Sequence, residues 1–326
     1  MILSKKVFFI MLLVFSTLAY AADPMYDYFD SIMYSQGVFR IRAWVDYGRA
    51  ASYIDSTFAF HFTTVPAEQE DMASYPNDGK YTKIKVPLSV TYAITDYLDA
   101  GLLGQFVSRS LEDSISTTSS SGIGDTWIYT RFGLSKDPVF NIRLAGKIPT
   151  GSWKDIAEGK EEGLEIGDGQ MDLELALNGT FPAYPERVKS DQFEFKFKHW
   201  SFEYLIGLRY RMKRTWTYEQ SGQPAMDCEW QPPMEIPFCF REKINVACNT
   251  YFWFLGFNGN LGMTDNEVTM GSTTTTSKIN NIMFHTGLEI RAGEGFYINA
   301  MYQGTIGGQN TPYEWHVLGG GLGIIF

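Results

Sequence analysis

The sequence predicts an all-β fold, a transmembrane antiparallel β-barrel of about twelve strands preceded by a cleaved signal peptide. Three observations lead to this prediction. Aromatic residues make up 16% of the 326 residues, yet the mean hydropathy is slightly negative, at -0.16. Short windows alternate between apolar and polar side chains, and the chain ends on an apolar, glycine-containing segment with a terminal phenylalanine. A membrane barrel accounts for all three, because lipid-facing apolar residues alternate with lumen-facing polar ones and aromatic girdles mark both interfaces.

The first 21 residues have the features of a secretory signal peptide. Lys5 and Lys6 precede an apolar run over residues 7–18, and Ala19-Tyr20-Ala21 forms a small-x-small cleavage site. A single membrane anchor is the alternative, although the run is short for spanning a bilayer. We therefore divide the chain into a signal peptide (1–21), a periplasmic N-terminal segment (22–36) and an outer-membrane barrel (37–326).

Net charge argues against nucleic acid as a partner. The formal charge is -10, and removal of the two signal-peptide lysines makes the mature chain still more acidic. Phosphate binding requires a basic surface, which this balance does not supply. No later stretch is apolar enough for a membrane helix, so any membrane crossing must use strands.

Twelve windows show the alternation expected of membrane strands. In the second of them, Ile84 and Val86 fall on one face while Lys83 and Lys85 fall on the other. The windows are residues 37–48, 81–94, 98–109, 122–134, 139–149, 169–181, 192–213, 237–247, 251–263, 280–291, 295–304 and 314–326.

The connectors between these windows alternate in length, as they do in bacterial outer-membrane barrels with short periplasmic turns and longer external loops. Short turns are expected at 95–97, 135–138 and 292–294, and surface loops at 50–80, 110–121, 150–168, 214–236 and 264–279. Only the medium connector 182–191 departs from the alternation. An even number of strands places both termini in the periplasm, and ten or fourteen strands are the alternatives.

The last thirteen residues resemble the closing strand of outer-membrane barrels, which the barrel-assembly machinery reads. The matching positions are Gly321, Ile324 and Phe326, in a Gly-x-x-apolar-x-Phe arrangement. An ordinary buried terminal strand is the alternative. If the resemblance holds, Phe326 anchors the strand at the periplasmic edge, and the glycines at 319, 321 and 323 face the lumen.

Four segments, in order along the chain, resemble the landmarks of an outer-membrane family known as the meta-pathway of phenol degradation. They are Val86-Pro87-Leu88 with Tyr92-Ala93-Ile94-Thr95-Asp96, Gly122-Ile123-Gly124-Asp125, Lys147-Ile148-Pro149-Thr150-Gly151, and Gly167-Asp168-Gly169-Gln170-Met171-Asp172. The family is regarded as transporters of apolar or aromatic compounds. The resemblance therefore implies a channel or transporter for small, hydrophobic or aromatic solutes.

Charged residues on the polar phase of the strands are the candidate lumen lining, because a charge on the lipid face is costly. Arg143 and Lys147 are expected beside Asp172 and Glu174, which allows cross-strand ion pairs. The full set of candidates is Arg40, Arg42, Lys83, Lys85, Asp125, Arg131, Arg143, Lys147, Asp172, Glu174, Glu203, Arg209, Arg211 and Glu289.

Two interpretations of this charged lining remain open. The ion pairs could fill and close the lumen, leaving a structural or surface-interaction barrel. Alternatively, the charges could line a permeation path, with four cations from the first two strands on one wall; a mixed lining then predicts weak ion preference.

The three cysteines allow one disulfide in an exported protein. Cys228 and Cys239 fall in one Pro-rich loop and form the candidate pair, which leaves Cys248 free. The alternative is that all three are incidental. Their spacing matches no zinc pattern.

No constellation of residues predicts catalysis or a cofactor. The histidines, at 61, 199, 285 and 316, lie in separate segments without metal-ligand spacing. Only His285 lies near the middle of a predicted strand at a position whose side chain should face the lumen. No sequence feature pairs it with a nucleophile. We therefore expect no enzyme activity, no cofactor and no metal site, and expect outer-membrane lipid, the assembly machinery and small solutes as partners.

Overall fold

A computed structural model of the chain describes residues 35–54, 59–60, 72–74, 80–112, 117–136, 139–153, 164–181, 200–218, 225–247, 250–292, 296–309, 311–314 and 317–325. Within these ranges the chain forms twenty β-strands, numbered here in chain order. They are β1 (Phe39–Ile54), β2 (Ala59–Phe60), β3 (Met72–Ser74), β4 (Lys80–Thr95), β5 (Leu98–Glu112), β6 (Thr117–Ile123), β7 (Thr126–Lys136), β8 (Val139–Ile148), β9 (Asp172–Phe181), β10 (Trp200–Arg211), β11 (Arg214–Tyr218), β12 (Met226–Gln231), β13 (Glu235–Ala247), β14 (Tyr251–Gly262), β15 (Asn266–Met270), β16 (Thr273–Ser277), β17 (Asn280–Ala292), β18 (Phe296–Gln309), β19 (Thr311–Glu314) and β20 (Val317–Ile325).

Twelve of these strands form one closed antiparallel barrel, in the order β1, β4, β5, β7, β8, β9, β10, β13, β14, β17, β18 and β20. The last strand, β20, returns to pair with β1, which places Ile324 opposite Ile41 and Gly321 opposite Trp44. Closure pairs each barrel strand on both sides, so the wall presents no open sheet edge to lipid. The predicted twelve-strand barrel is confirmed, and the alternatives of ten and fourteen strands are wrong.

Side chains alternate between two faces of the barrel wall. On β9, Leu173, Leu175 and Leu177 are exposed on the outer face, whereas Asp172 and Glu174 are buried on the inner face. The period of two follows from the pleat, which sends successive side chains to opposite sides. The outer face is therefore an apolar surface suited to lipid, and the inner face carries the charges.

The two ends of the barrel differ. Tight connections, such as Asp96–Tyr97 between β4 and β5, lie at one end, which we call the short-turn end. Six longer connectors lie at the other, which we call the long-connector end, whereas the connection from β9 to β10 (182–199) begins and ends at the short-turn end. In outer-membrane barrels the short turns face the periplasm.

Several predicted surface loops contain strands. The segments 110–121, 214–236 and 264–279 include β6, β11, β12, β15 and β16, and β1 continues into the predicted loop 50–80, where β3 pairs with its end. Pairing of β12 with β15 joins two hairpins into a four-stranded sheet outside the barrel. Alternation is present in β12, at Met226, Cys228 and Trp230, but β6, β11, β12, β15 and β16 span only five to seven residues, too few to be recognised in windows of about ten residues.

Some sequence predictions lie outside the described residues. They concern the signal peptide, most of the segment 22–36, the connector 182–191, residues 192–199 of the predicted strand 192–213, Cys248 and Phe326. Among the residues that are described, no helix is long and apolar enough to cross a membrane.

Candidate functional site: the barrel lumen

The structure places the fourteen candidate lining residues on the inner side of the barrel or at its mouth. Thirteen of them are buried, and Arg211 is half-buried. Twelve of these thirteen lie on barrel strands, whereas Asp125 lies in the two-residue connector between β6 and β7. Their role as the lining of a permeation path stays a prediction.

Sequence reasoning missed five further buried charges on the inner face. They are Asp46, Asp99, Glu235, Arg241 and Lys243. On β13 the odd-numbered residues face the lumen, and the even-numbered Phe240 is exposed on the other face. The alternation of that strand was therefore the signal that could have identified Arg241 and Lys243.

Ion pairs connect β8, β9, β10 and β13 at the long-connector end. Lys147 Nζ lies 2.8 Å from Asp172 Oδ2 and also pairs with Asp168. Arg211 binds Asp168 at 2.9 Å and Glu235 at 3.0 Å. Because cross-strand neighbours on one face are close, acids and bases that alternate between adjacent strands form a continuous network.

Arg209 occupies the centre of that network. Its Nη2 lies 2.9 Å from Glu174 Oε2, and its Nη1 lies 3.4 Å from Glu235 Oε2. The guanidinium also lies over the ring of Trp127, 5.1 Å from the centroid. One side chain therefore neutralises two buried carboxylates and contacts an aromatic ring.

Three of the sequence motifs that carry the family resemblance meet at the long-connector end. The Asp125 carboxylate accepts hydrogen bonds from the backbone N–H groups of Gly151 and Asp168, each 3.0 Å away. Gly151 and Gly167 pack so closely against each other that a side chain at either would clash. The β8–β9 connector, predicted as a charged loop over 150–168, thus includes residues held against the barrel mouth. Its motif glycines are explained by close backbone approach.

A second contact fixes the same connector. Arg214 on β11 binds both carboxylate oxygens of Glu165 at 2.8 Å and donates to the carbonyl of Asp168 at 2.7 Å. The bidentate geometry favours guanidinium over ammonium at this position. The external sheet and the β8–β9 connector are therefore linked directly.

Burial, and after it the nearby charge of Asp168, together raise the pKa of Asp125 to about 7. Because the folded-state pKa lies above that of the unfolded chain, the folded state binds the proton more tightly. Stability from this group is therefore present at acidic pH and is lost as the pH rises through about 7. We expect the urea midpoint of the wild type to fall, relative to that of Asp125→Asn, between pH 5 and pH 8. Parallel midpoints for the two proteins would contradict the assignment.

In the half of the barrel next to the short turns, arginines gather around Tyr129. The Arg143 guanidinium carbon lies 4.6 Å from the ring centroid, and the Tyr129 hydroxyl is 2.6 Å from Thr91 Oγ1. Arg40 donates to that same threonine at 3.1 Å.

Arg131, directly opposite Arg143 on the neighbouring strand, forms a bidentate pair with Asp99 at 2.6 and 2.9 Å. Arg143 was expected beside Glu174, but its register partner on β9 is Ala176.

A group of buried, mainly apolar residues lies on the inner face of the barrel, between the two charged zones. We call it the interior belt, and its members are the buried residues Trp44, Leu103, Trp127, Tyr129, Ala145, Ala176, Leu205, Cys239, Phe254 and Met301. They come from nine barrel strands, at corresponding heights. Cations lie over its rings, with Arg42 4.7 Å from the centroid of Trp44 and Arg241 4.9 Å from that of Phe254. Aromatic rings attract cations through the ring quadrupole, so the belt and the charges stabilise one another.

The glycines of the closing strand make room for two aromatic rings. A side chain at Gly321 would meet Trp44, and one at Gly323 would meet Tyr297. The two rings fill the room that these glycines leave, and the Arg42 guanidinium carbon lies 4.7 Å from the ring centroid of Trp44 and 5.6 Å from that of Tyr297.

The candidate disulfide is wrong, because Cys228 and Cys239 are both free. The stretch between them is not a single loop. Cys228 lies on β12 of the external sheet, opposite Trp216 and Met270, whereas Cys239 lies on β13 in the barrel wall, opposite Leu205 and Asn258.

Neither metal binding nor histidine chemistry has support in the described part of the chain. No three His, Cys, Asp or Glu side chains in it are grouped to hold a metal ion. His285 is buried, with Nδ1 2.6 Å from Asn258 Oδ1, and packs near Phe254. The other three histidines lie outside the described residues.

One solved structure shares the barrel fold. An outer-membrane channel from Pseudomonas putida F1 matches with a TM-score of 0.66 at 13% identity, over 94% of this chain and 100% of that one. The chain has the fold of an outer-membrane β-barrel. At this identity the similarity establishes the fold, and the apolar outer face places the barrel wall in lipid.

Weaker similarities extend to other transport barrels. The transport unit of the autotransporter AIDA-I from Escherichia coli matches with a TM-score of 0.49 at 11% identity, over 97% of this chain and 95% of that one. The toluene transporter TbuX from Ralstonia pickettii matches with a TM-score of 0.37 at 10% identity, over 90% of this chain and 88% of that one. Neither similarity is strong enough to bear on function. No protein-family model and no curated protein matches the sequence.

Proposed function

We propose that this barrel is a passive outer-membrane channel for small hydrophobic or aromatic solutes. The observation that carries the proposal is the interior belt, an apolar and aromatic layer in the middle of a charged lumen. A purely structural barrel could be filled by ion pairs alone. An apolar and aromatic layer instead offers favourable contacts to the ring of an aromatic solute when that solute moves out of water.

The size of the barrel is consistent with a narrow path. Side chains fill barrels of about eight strands, whereas barrels of about sixteen leave an aqueous channel. Twelve strands lie between these limits, so a few large side chains decide whether a solute passes. The fold similarity to the outer-membrane channel from Pseudomonas putida F1 also supports a channel. The four sequence motifs that resemble the transporter family support it as well. We also propose that the barrel-assembly machinery inserts the chain.

A second candidate is a structural or surface-interaction barrel with a closed lumen. The ion-pair network of Arg209, Arg211 and Lys147 at the long-connector end favours it, because buried pairs of this kind would hold that end rigid. In this case function would reside in the external connectors.

Solute flux and conductance separate the two candidates. We expect the refolded wild type to conduct in planar bilayers, and to admit benzyl alcohol into liposomes faster than an aliphatic alcohol of similar size. Trp127→Ala removes a belt ring, so ionic conductance should rise while the preference for the aromatic alcohol falls about 2-fold to 10-fold.

Trp253→Ala is the matched control, because Trp253 is exposed on the outer face of β14 and packs away from the lumen. It should leave conductance and preference unchanged. If the folded wild type gives neither conductance nor flux, the channel proposal fails and the closed barrel is favoured.

A further inference from the structure

Two buried hydrogen-bond donors on the inner face have no acceptor among the described residues. They are the indole N–H of Trp127 and the side-chain NH2 group of Gln170, and each residue is 1% exposed. Tyr129, the next belt residue on β7, differs, because its hydroxyl lies 2.6 Å from Thr91 Oγ1. Buried donors are nearly always satisfied, and leaving one without an acceptor is costly. A solute oxygen would therefore bind favourably at either donor.

Contacts around Gln170 fix the direction of its side-chain amide. Its Oε1 accepts a hydrogen bond from Arg211 Nη2 at 3.2 Å. Because a guanidinium only donates, the amide oxygen must face Arg211 and the NH2 group must face away from it. The backbone N–H of Gln170 also donates to Asp168 Oδ1, 3.1 Å away. The chain itself therefore holds this donor in place before a solute arrives.

The two donors face the same stretch of the lumen. The guanidinium carbon of Arg209 lies 5.1 Å from the ring centroid of Trp127, and Arg211, which holds Gln170, is two residues further along β10. Side chains two residues apart on a strand project from one face, about 7 Å from each other. A small solute in this stretch can therefore approach either donor.

Apolar contacts lie beside the Trp127 donor. Trp127 is a member of the interior belt, with Leu103 directly opposite it on β5 and Tyr129 two residues further along β7. Both of these neighbours are buried. Contact of an aromatic ring with such side chains is favourable. The arrangement therefore suits a solute that carries an oxygen next to a ring.

The cations nearest the donors already hold carboxylates. The ion pairs are Lys147 with Asp168 and Asp172, Arg209 with Glu174 and Glu235, and Arg211 with Asp168, Asp172 and Glu235. Each cation thus has at least two anionic partners within the chain. An anionic solute would have to compete with these carboxylates and would be repelled by them, whereas a neutral oxygen needs only the N–H groups. The site therefore favours a neutral acceptor over an anion.

We infer that the channel selects neutral aromatic solutes that carry a carbonyl oxygen. The oxygen accepts hydrogen bonds from Trp127 Nε1 and Gln170 Nε2, while the ring contacts the interior belt. This inference rests on the proposed function and names its substrate class. Discrimination against hydrocarbons of the same shape follows, because a site with buried donors rejects an analogue that lacks the acceptor.

Calorimetric titration of the folded protein in nanodiscs tests binding separately from transport, with the signal of empty nanodiscs subtracted. Acetophenone and α-methylstyrene serve as probes, since they have the same shape and differ only in the exchange of the carbonyl oxygen for a CH2 group. We expect acetophenone to bind about fivefold to twentyfold more tightly than α-methylstyrene. Benzoate, an anion with the same ring, should bind more weakly than acetophenone.

Two variants remove the donors without emptying the site. Trp127→Phe keeps a belt ring and loses the N–H, and Gln170→Met keeps the length of the side chain and loses the NH2 group. Each should lower the preference for acetophenone about threefold, and the double variant should bring the ratio of affinities close to one. Electrophoretic heat modifiability establishes that each variant is folded.

Trp253→Phe is the matched control, because the Trp253 side chain is exposed on the outer face and its Nε1 donates to Thr286 Oγ1 at 3.0 Å. It should keep the wild-type preference. A magnetic-resonance spectrum of the isotope-labelled wild type gives a direct readout of the hydrogen bond. The indole N–H signal that Trp127→Phe abolishes should move further downfield with acetophenone than with α-methylstyrene. Should the variants not fold, the wild-type ratio of affinities still tests the inference.

Flux into liposomes completes the test, and acetophenone should enter faster than benzoate through the protein. Equal binding of acetophenone and α-methylstyrene, or tighter binding of benzoate, overturns the inference while leaving the channel proposal intact. Preferential binding of acetophenone without any flux would instead overturn the channel and retain the carbonyl site.

Discussion

Replacement of Arg209 by alanine is expected to destabilise the folded barrel by about 3–5 kcal/mol. The guanidinium neutralises Glu174 and contacts Glu235, and all three side chains are buried. Its removal takes away two charge-assisted hydrogen bonds from the buried carboxylate of Glu174, and the loss of such a partner is costly in buried surroundings. Equilibrium unfolding in urea, with the protein refolded into vesicles, measures the loss.

Two comparisons isolate the cause. Lys213→Ala breaks a pair with Glu229 in which both side chains are largely exposed, and should cost about 1 kcal/mol or less. Arg209→Met combined with Glu174→Gln removes both charges of the buried pair and should recover much of the stability lost in Arg209→Ala. A loss for Arg209→Ala no larger than that for Lys213→Ala would show that water reaches the network freely.

Deletion of Phe326 is expected to reduce insertion into the outer membrane strongly, by about tenfold or more, with little effect on the flux through each inserted molecule. The residue follows β20, which closes the barrel against β1. Assembly depends on how the last strand is presented, whereas flux depends on the inner face. Heat-modifiable protein in outer-membrane fractions measures insertion, and flux normalised to that amount measures the channel.

Phe326→Tyr keeps a terminal aromatic ring and should insert nearly as well as the wild type. Phe326→Ala keeps the length of the chain but removes the aromatic ring, and it should insert as poorly as the deletion. Normal insertion of the deleted chain would remove the main reason for assigning the final residues a role in assembly.

Period-two alternation identified all twelve barrel strands because the membrane imposes it. Lipid selects apolar residues on one face, while burial among ion pairs selects polar residues on the other, so Leu173 and Asp172 reveal the orientation of β9 from sequence alone. The external strands β11, β12, β15 and β16 escaped prediction because each spans only five or six residues, about half the length of a membrane strand. Their pairing depends on contacts between distant hairpins, which local patterns do not encode.

The candidate site could be predicted in its composition but not in its arrangement. The phase of Lys147 and Asp172 placed them on one face, and they form an ion pair. The register that separates Arg143 from Glu174, and places Arg143 over Tyr129, depends on the relative shift of neighbouring strands, which the sequence does not reveal. The interior belt was missed for a different reason, since the polar phase of a strand was expected to carry polar residues throughout.

Closure by the first and last strands also has a kinetic consequence. Because Arg40 pairs with Ile325 and Asp46 with Gly319, β1 cannot acquire its second neighbour until nearly the whole chain has been exported. Until then one edge of β1 offers unpaired amide and carbonyl groups, and such an edge recruits other chains. Contacts between the most distant parts of a sequence are also the slowest to form. We therefore expect the pairing of β20 with β1 to be the last step of folding. The chain should depend most on holding chaperones before that step.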